Sequence, residues 1–241
     1  MKGYCYVHAV MAMVLIHMMS WRDLASVHTN HYIRRFLSNS SSARCLDGTI
    51  PAYYIRRSNS FSLNRRDNRW LLHFEHGGWC YTLSECHYKS RTYFGSSIYD
   101  YDNNENRFVH QVKLSYLMDD KVVNPMFHNW NVVYIRYCDG TSFTGHSTHE
   151  FNKKKLYFHG QVNRDETIRQ LLNRDGMHEA TEIVVTGCSS AGLAIYYGID
   201  AIADIIHTHH HHHNQHSNHS RMNGSSYRPT VPLIHAMADS S

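Results

Sequence analysis

The residues Glu182-Ile183-Val184-Val185-Thr186-Gly187-Cys188-Ser189-Ser190-Ala191-Gly192-Leu193 decide the fold of this chain. A β-branched run leads into small residues and then into isoleucines at helical spacing, Ile195, Ile199, Ile202 and Ile206. This pattern predicts a strand over 183–186, a tight turn, and a helix over 190–206. A serine on such a turn is typical of a nucleophile elbow, which exposes the serine oxygen at the end of a sheet. Ser189 is therefore a candidate nucleophile, although small-residue turns of this kind also occur where there is no site.

A second stretch, Arg69-Trp70-Leu71-Leu72-His73-Phe74-Glu75, predicts another strand and runs into His76-Gly77-Gly78-Trp79-Cys80. A glycine pair after an early strand is where an α/β-hydrolase places the other half of its oxyanion hole. Backbone N–H groups must point at the oxygen of a tetrahedral intermediate, and glycine lets the backbone come that close. The alternative is an ordinary strand-to-helix turn. Trp79 is either a wall of an acyl pocket or a core tryptophan.

The remaining elements complete an alternating pattern. Residues 53–57, 131–137 and 231–236 read as strands, and residues 161–174 read as a helix with an apolar stripe. The nearly continuous apolar run at 131–137 predicts a strand that is buried on both faces. Strands that alternate with helices predict an α/β fold with a mostly parallel sheet. We expect helices on both sides of this sheet, in a three-layer sandwich.

Five ordered blocks resemble the pectin acetylesterase family, which also contains the Notum-type deacylases. They lie at 45–56, 68–83, 129–145, 156–160 and 234–240, so the resemblance runs from Cys45 to the end of the chain. It implies an α/β-hydrolase-like fold. The chain departs from the family pattern at two places. His76 stands where the family usually has a first glycine, and Ser190-Ala191 stands where it usually has Ala-Gly.

The resemblance implies a serine carboxylesterase that removes O-acetyl groups from an extracellular or cell-wall polysaccharide such as pectin, through an acyl-serine intermediate. Ser189 would be the nucleophile and Asp239 the acid that orients a histidine. The oxyanion hole would use backbone N–H groups of Gly78, Trp79 and Ser190. No cofactor is expected. The alternatives are a Notum-like protein O-deacylase, which the sequence around Ser189 and Trp79 favours less, and a truncated, non-catalytic member of the family.

The position of the catalytic histidine is the main difficulty for this interpretation. In α/β-hydrolases the triad follows the chain order serine, acid, histidine. The chain ends at Ser241, so we expect a domain that is incomplete at its C-terminus and lacks the histidine partner of Asp239. His235 precedes Asp239 by four residues in the same predicted strand, and it is not expected to reach the elbow.

Composition and the N-terminus predict where the protein acts. A chain of 241 residues with a net charge of only +4 favours one globular domain and no nucleic-acid partner. A basic start and a short apolar run predict a secretory signal over 1–20, with a buried first helix as the alternative. Residues 21–44 would be a lead-in or linker, and 45–241 the hydrolase domain. We expect a secreted or cell-wall monomer that acts on acetylated polysaccharide and does not associate stably with membranes.

The six cysteines and the histidine run bear on disulfide pairing and on metal binding. Cys80 and Cys86 are close enough in the chain to bridge locally, whereas the family resemblance implies a long-range pair of Cys45 with Cys138. Cys5 lies in the expected signal, and Cys188 would remain unpaired beside the nucleophile. No Cys-x-x-Cys spacing is present, so no metal site is expected. The histidine-rich stretch 207–216 is expected to be a solvated loop, with adventitious metal binding as the alternative.

Overall fold

The computed structural model describes residues 32–58, 68–100, 114–219 and 231–239, with the backbone alone described at 100, 213–219 and 239. A six-stranded sheet forms its centre. The six strands are β1 (Ile33–Phe36), β2 (Ala52–Arg56), β3 (Arg69–Phe74), β4 (Asn131–Ile135), β7 (Glu182–Cys188) and β8 (Leu233–Asp239). They lie in the order β1-β2-β4-β3-β7-β8. A separate antiparallel hairpin contains β5 (Ser147–Phe151) and β6 (Lys154–Phe158).

The sheet is mostly parallel, as the alternating pattern predicts. Strands β4, β3, β7 and β8 run parallel to one another, while β1 and β2 add an antiparallel edge beside β4. All five residues of β4 are buried, which confirms the prediction from its continuous apolar run. Strand β8 begins two residues later than predicted and extends to Asp239. The parallel strands all end on one edge of the sheet, where an α/β fold places its site.

Three helices have regular α geometry in this part of the chain: α1 (Leu83–Lys89), α2 (Gly160–Arg174) and α3 (Ser190–His219). Helices α2 and α3 cover one face of the sheet, where Leu172 and Ile202 share a core with Leu72 and Val185. Alternate strand residues face the other way and pack against Leu117, Phe127 and Trp130 from the irregular segment 114–130. Burying each large apolar side chain of this kind contributes roughly 2 kcal/mol, so both faces of the sheet are stabilised.

The histidine-rich stretch is helical, so the prediction of a loop at 207–216 is wrong. Helix α3 continues through it to His219. Histidine is only a moderately poor helix former, and residues 199–219 contain no glycine or proline that would stop the helix. His210 is buried, and His209 Nε2 lies 3.0 Å from Asn173 Oδ1 on α2. Within the described ranges, no group of three or more histidine, cysteine or acidic residues is arranged to hold a metal ion.

The expected signal segment, 1–20, lies outside the described residues, as does the first part of the lead-in. The described part of the lead-in contributes β1, the edge strand of the sheet. None of the helices in the described ranges is long and apolar enough to cross a membrane. The Cys45–Cys138 and Cys80–Cys86 disulfides are both present, as expected. Cys188 is also disulfide-bonded, to a partner outside the described residues, so the expectation that it stays unpaired is wrong.

Candidate active site

The turn between β7 and α3 has the geometry of a nucleophile elbow. Ser189 is its single connecting residue and has a left-handed backbone with φ +54°. This conformation is uncommon for a residue other than glycine, and such strain concentrates at functional sites. The turn also needs small neighbours, because a Cβ at Gly187 would lie 2.8 Å from Cβ of Ala191. As a result Ser189 is exposed, at the carboxyl edge of the sheet.

We call residues 76–80 the oxyanion loop, after the role that the sequence predicts for them. This loop lies beside the turn because β3 and β7 are parallel neighbours. Their register pairs Phe74 with Gly187. The N–H groups of Gly77 and Gly78 both donate to Ser190 Oγ, at 2.9 and 3.1 Å. Two adjacent amides therefore converge on one oxygen, which is the arrangement needed to stabilise an oxyanion. That oxygen is the side chain of Ser190, which is only 4% exposed.

The opposite side of the oxyanion loop is held through its carbonyl groups. Lys89 Nζ donates to the carbonyl oxygens of Gly77, at 2.6 Å, and of Gly78. The Tyr137 hydroxyl also donates to Gly78 O, at 2.6 Å. Because the C=O and N–H of a trans peptide point in opposite directions, turning the Gly77 carbonyl towards Lys89 turns the Gly78 N–H towards the elbow. Burial lowers the pKa of Lys89 and raises the pKa of Tyr137.

Both glycines of the loop are required, for different reasons. A Cβ at Gly77 would lie 1.8 Å from Cδ1 of Tyr137, so no side chain fits between the loop and that ring. Gly78 has φ +66°, a conformation that glycine adopts without strain. Trp79 follows at the tip of the loop and is 41% exposed. This exposure excludes the core alternative for Trp79, and an acyl-pocket role stays a prediction.

A buried ion pair positions Tyr137. Arg136 Nη1 pairs with Glu75 Oε2, and the same carboxylate oxygen accepts the Tyr137 N–H at 2.8 Å. Glu75 directly follows β3 and Arg136 directly follows β4, so the pair joins the ends of two neighbouring strands. Removing one partner of a buried pair leaves an uncompensated charge, which is strongly destabilising. This support was not foreseen from the sequence, where the only signal was a charged residue at the end of each apolar run.

His73 links the strands that carry the two halves of the site. Its Nδ1 lies 3.0 Å from Thr186 Oγ1 on β7 and 3.2 Å from the Tyr116 hydroxyl. Burial, and to a smaller extent the nearby His76, lowers the pKa of His73 to about 3. The side chain is therefore neutral at physiological pH, and its role is to connect β3 with β7.

The backbone of Asp239 lies at the carboxyl edge of the sheet, next to the elbow. Strand β8 is the parallel neighbour of β7, and Asp239 pairs with Cys188, the residue before Ser189. His235 lies four residues further back, opposite Val184, with its Nε2 3.4 Å from Glu182 Oε1. It is thus far from the elbow, as expected. The structure brings together Ser189, Ser190 and the Gly77–Gly78 pair, while the catalytic roles of Ser189 and Asp239 stay predictions.

Comparison with known proteins finds the same family that the sequence blocks resemble. The family model of the pectinacetylesterases matches residues 25–214. Pectin acetylesterase 5 of Arabidopsis thaliana is 38% identical over 170 residues, which are 70% of this chain and 37% of that protein. Pectin acetylesterase 4 of the same plant is 36% identical over 187 residues, 76% of this chain and 42% of that protein.

A more distant similarity connects the chain with protein deacylases. Palmitoleoyl-protein carboxylesterase NOTUM of Schmidtea mediterranea is 28% identical over 181 residues, which are 73% of this chain and 32% of that protein. The chain therefore spans about two-fifths of the length of the plant relatives and about one-third of the planarian one.

Proposed function

The chain belongs to the pectinacetylesterase family, and from this premise we propose that it acts as a serine carboxylesterase that removes O-acetyl groups from a polysaccharide such as pectin. The observation that carries the proposal is the exposed Ser189 on a left-handed turn beside the converging amides of Gly77 and Gly78. The higher identity to the pectin acetylesterases than to NOTUM favours a sugar ester over a protein ester as the substrate.

In the proposed reaction, Ser189 Oγ attacks the acetyl carbonyl carbon while a histidine oriented by Asp239, for which no histidine of this sequence stands in the expected position, takes its proton. The carbonyl oxygen becomes negatively charged and accepts hydrogen bonds from the backbone N–H groups of Trp79 and Ser190, and from that of Gly78 once it leaves Ser190 Oγ. Collapse of the intermediate breaks the bond to the sugar oxygen, which leaves as a hydroxyl with the proton from the histidine. Water then attacks the acyl-serine in the same way and releases acetate.

Two disulfides support an oxidising location. Cys45–Cys138 links residues that are 93 positions apart, and Cys80–Cys86 closes a short loop at the site. Such bonds persist outside the cytosol. We therefore propose that the protein is secreted and acts, as a monomer, in the extracellular space or the cell wall.

The test compares acetate release from acetylated pectin, and hydrolysis of a small acetyl ester, by the wild type and Ser189→Ala. We expect the variant to lose at least ~10³-fold in rate, because the attacking oxygen is removed. Ser142→Ala is a matched control, since Ser142 also has a left-handed backbone, at φ +53°, and its buried Oγ has no hydrogen-bond partner in the described structure. Equal rates in the wild type and Ser189→Ala, or no acetate release by the wild type, would overturn the proposal.

A further inference from the structure

Asp139 is a buried carboxyl group that the proposed reaction does not use. It lies four residues beyond the end of β4, and its side chain is fully enclosed. Its Oδ2 accepts hydrogen bonds from the N–H of Thr141 at 2.9 Å, from the Thr141 hydroxyl at 2.5 Å and from the N–H of Phe143 at 3.1 Å. Burial raises the pKa of Asp139, and these hydrogen bonds act against that rise. Asp139 therefore fixes the backbone of residues 139–143, which we call the Asp139 turn.

The Asp139 turn has a strained backbone. Ser142 and Phe143 are both left-handed, with φ +53° and +55°. This conformation costs roughly 1–2 kcal/mol for each residue other than glycine. Asp139 Oδ1 and Ser142 Oγ are also buried without a hydrogen-bond partner in the described structure. Strain and unpaired polar atoms lower stability and concentrate at functional sites, so the turn points to a role in function.

The turn sets the direction of the Tyr137 hydroxyl proton. The backbone N–H of Ser142 donates to the Tyr137 hydroxyl oxygen at 3.3 Å, a bond that Ser142→Ala retains. The Phe143 ring packs edge-on against the Tyr137 ring, with centroids 5.4 Å apart. A tyrosine hydroxyl carries one proton, and an amide N–H can only donate. The proton of Tyr137 is therefore left for the Gly78 carbonyl oxygen, 2.6 Å away.

The Gly78 carbonyl belongs to the peptide unit that carries the N–H of Trp79, and the two groups point in opposite directions. Lys89 Nζ binds the carbonyl oxygens of both Gly77 and Gly78, so these carbonyls face the same side of the loop. On the other side, the Gly78 N–H bonds to Ser190 Oγ. The Trp79 N–H must therefore also face the elbow. Within the described residues, no hydrogen bond occupies it.

We propose that Asp139 is a positioning residue, which acts through the Tyr137 hydroxyl to aim the Trp79 N–H at the carbonyl oxygen of the substrate. The inference rests on the proposed esterase function and deepens it, because Trp79 carries the donor of the oxyanion loop that Ser190 Oγ leaves open. A donor that is held in place before the reaction stabilises the charge of the transition state without reorganisation. Loss of Asp139 should therefore slow the chemical step and leave ester binding nearly unchanged.

The test measures kcat and KM for a small acetyl ester in a double-mutant cycle of Asp139→Ala and Tyr137→Phe. We expect each single variant to lower kcat about tenfold, with KM within about twofold of the wild type. The double variant should be no slower than Tyr137→Phe, because the hydroxyl through which Asp139 acts is already absent. Asp139→Asn keeps an oxygen that can accept the hydrogen bonds of the turn, so it should retain most of the activity.

Asp175→Ala is the matched control. Asp175 is also buried, and its Oδ2 also accepts a hydrogen bond from a tyrosine hydroxyl, that of Tyr53 at 2.6 Å. It lies at the opposite edge of the sheet, because it pairs with Arg57 directly after β2, which runs antiparallel to β4. This variant should be less stable but keep the wild-type kcat. If Asp139→Ala does not fold, Thr141→Val removes one of the three hydrogen bonds and takes its place, with an expected fall in kcat of about threefold.

Independent losses that multiply to about a hundredfold in the double variant would overturn the proposal. A raised KM with unchanged kcat would overturn it too, as would an equal fall in kcat in Asp175→Ala, which would show only the general effect of losing a buried carboxylate.

A second readout does not depend on catalysis. The amide NMR resonance of Trp79 should shift in Asp139→Ala and in Tyr137→Phe, but not in Asp175→Ala. A resonance that stays in place in Asp139→Ala would overturn the positioning role. A wild type without Ser189-dependent hydrolysis would overturn the proposed function, whereas the expected shifts of Trp79 would still show that Asp139 positions this amide.

Discussion

The elbow and the oxyanion loop face each other across the site, but their backbones are held in different ways. The elbow is held locally, because β7 pairs with a strand on each side and α3 begins directly after Ser189. The oxyanion loop has no regular structure and is held by side chains from elsewhere. Ser190 binds its amides, Lys89 and Tyr137 bind its carbonyls, and the Cys80–Cys86 disulfide ties its end to α1.

This difference determines how the two parts should respond to mutation. The contacts of the loop join residues far apart in the chain, with separations of 113 positions between Gly77 and Ser190 and of 59 between Gly78 and Tyr137. Changing one supporting side chain should therefore loosen the loop and leave the elbow intact. A change that disturbs both parts equally would contradict this division.

The largest effect is expected where the loop backbone touches Tyr137. Gly77→Ala should destabilise the protein by about 3 kcal/mol, because its Cβ would overlap the Tyr137 ring. Gly78→Ala is the matched control. Its Cβ would meet only Lys89 Nζ, at 3.9 Å, so it should lose only the roughly 1–2 kcal/mol of left-handed strain. Urea unfolding of both variants measures the difference, and equal losses would show that the Tyr137 contact does not shape the loop.

The next effect concerns the contact of His73 on β3 with Thr186 on β7, and it depends on pH. The folded protein holds the His73 pKa at about 3, whereas an unfolded chain has the ordinary value near 6.5. Between these values the unfolded state binds more protons. The stability that neutral His73 supports is therefore complete above pH 6.5 and is lost as the pH falls, by up to about 1.4 kcal/mol per pH unit.

Urea unfolding at several pH values checks this expectation. His73→Asn should flatten the loss of stability between pH 6.5 and 4, whatever its effect at neutral pH. His235→Asn, which changes an exposed histidine beside Glu182, should retain the wild-type slope. If both variants keep that slope, His73 is not the group that makes the free energy of unfolding depend on pH.

The same division explains how much of the site could be predicted from the sequence. The strand, turn and helix around Ser189 follow from local residue pattern, and the structure confirms them. The glycine pair could be placed beside the elbow because parallel strands end on one edge. The supports of the loop could not be predicted, because Lys89 and Tyr137 act through tertiary contacts that leave no periodic signal. For the same reason, the hydrogen bonds of the Ser190 side chain were missed, and only its backbone N–H was considered.

The carbonyl side of the loop is tested by Lys89→Met, which keeps the length of the side chain but removes its donors. We expect a loss of about 1.5 kcal/mol, because two charge-assisted hydrogen bonds at a half-buried site are removed. Hydrogen exchange followed by NMR should show a faster Gly78 amide and an unchanged Leu193 amide, which bonds to Ser189 O in the elbow. Lys89→Arg keeps the charge and should retain most of the protection. Faster exchange of Leu193 in Lys89→Met would show that the two parts are not independent.

The amide side is tested by Ser190→Ala, for which we expect the smallest loss of stability, about 1 kcal/mol, because water can reach the freed amides. The Gly77 and Gly78 amides should exchange faster. Ester hydrolysis should nevertheless rise severalfold in kcat/KM, since the Gly78 N–H would no longer be occupied by Ser190 Oγ and could serve the substrate oxygen.

Ser189→Ala is the matched control for exchange, because it removes the neighbouring hydroxyl and should leave both amides protected. Unchanged exchange in Ser190→Ala would show that Ser190 does not hold the loop. If exchange becomes faster and hydrolysis falls, the hydroxyl is needed to shape the loop more than it competes with the substrate. In that case the oxyanion loop would depend on supports from both of its sides, the elbow helix and α1, before any substrate binds.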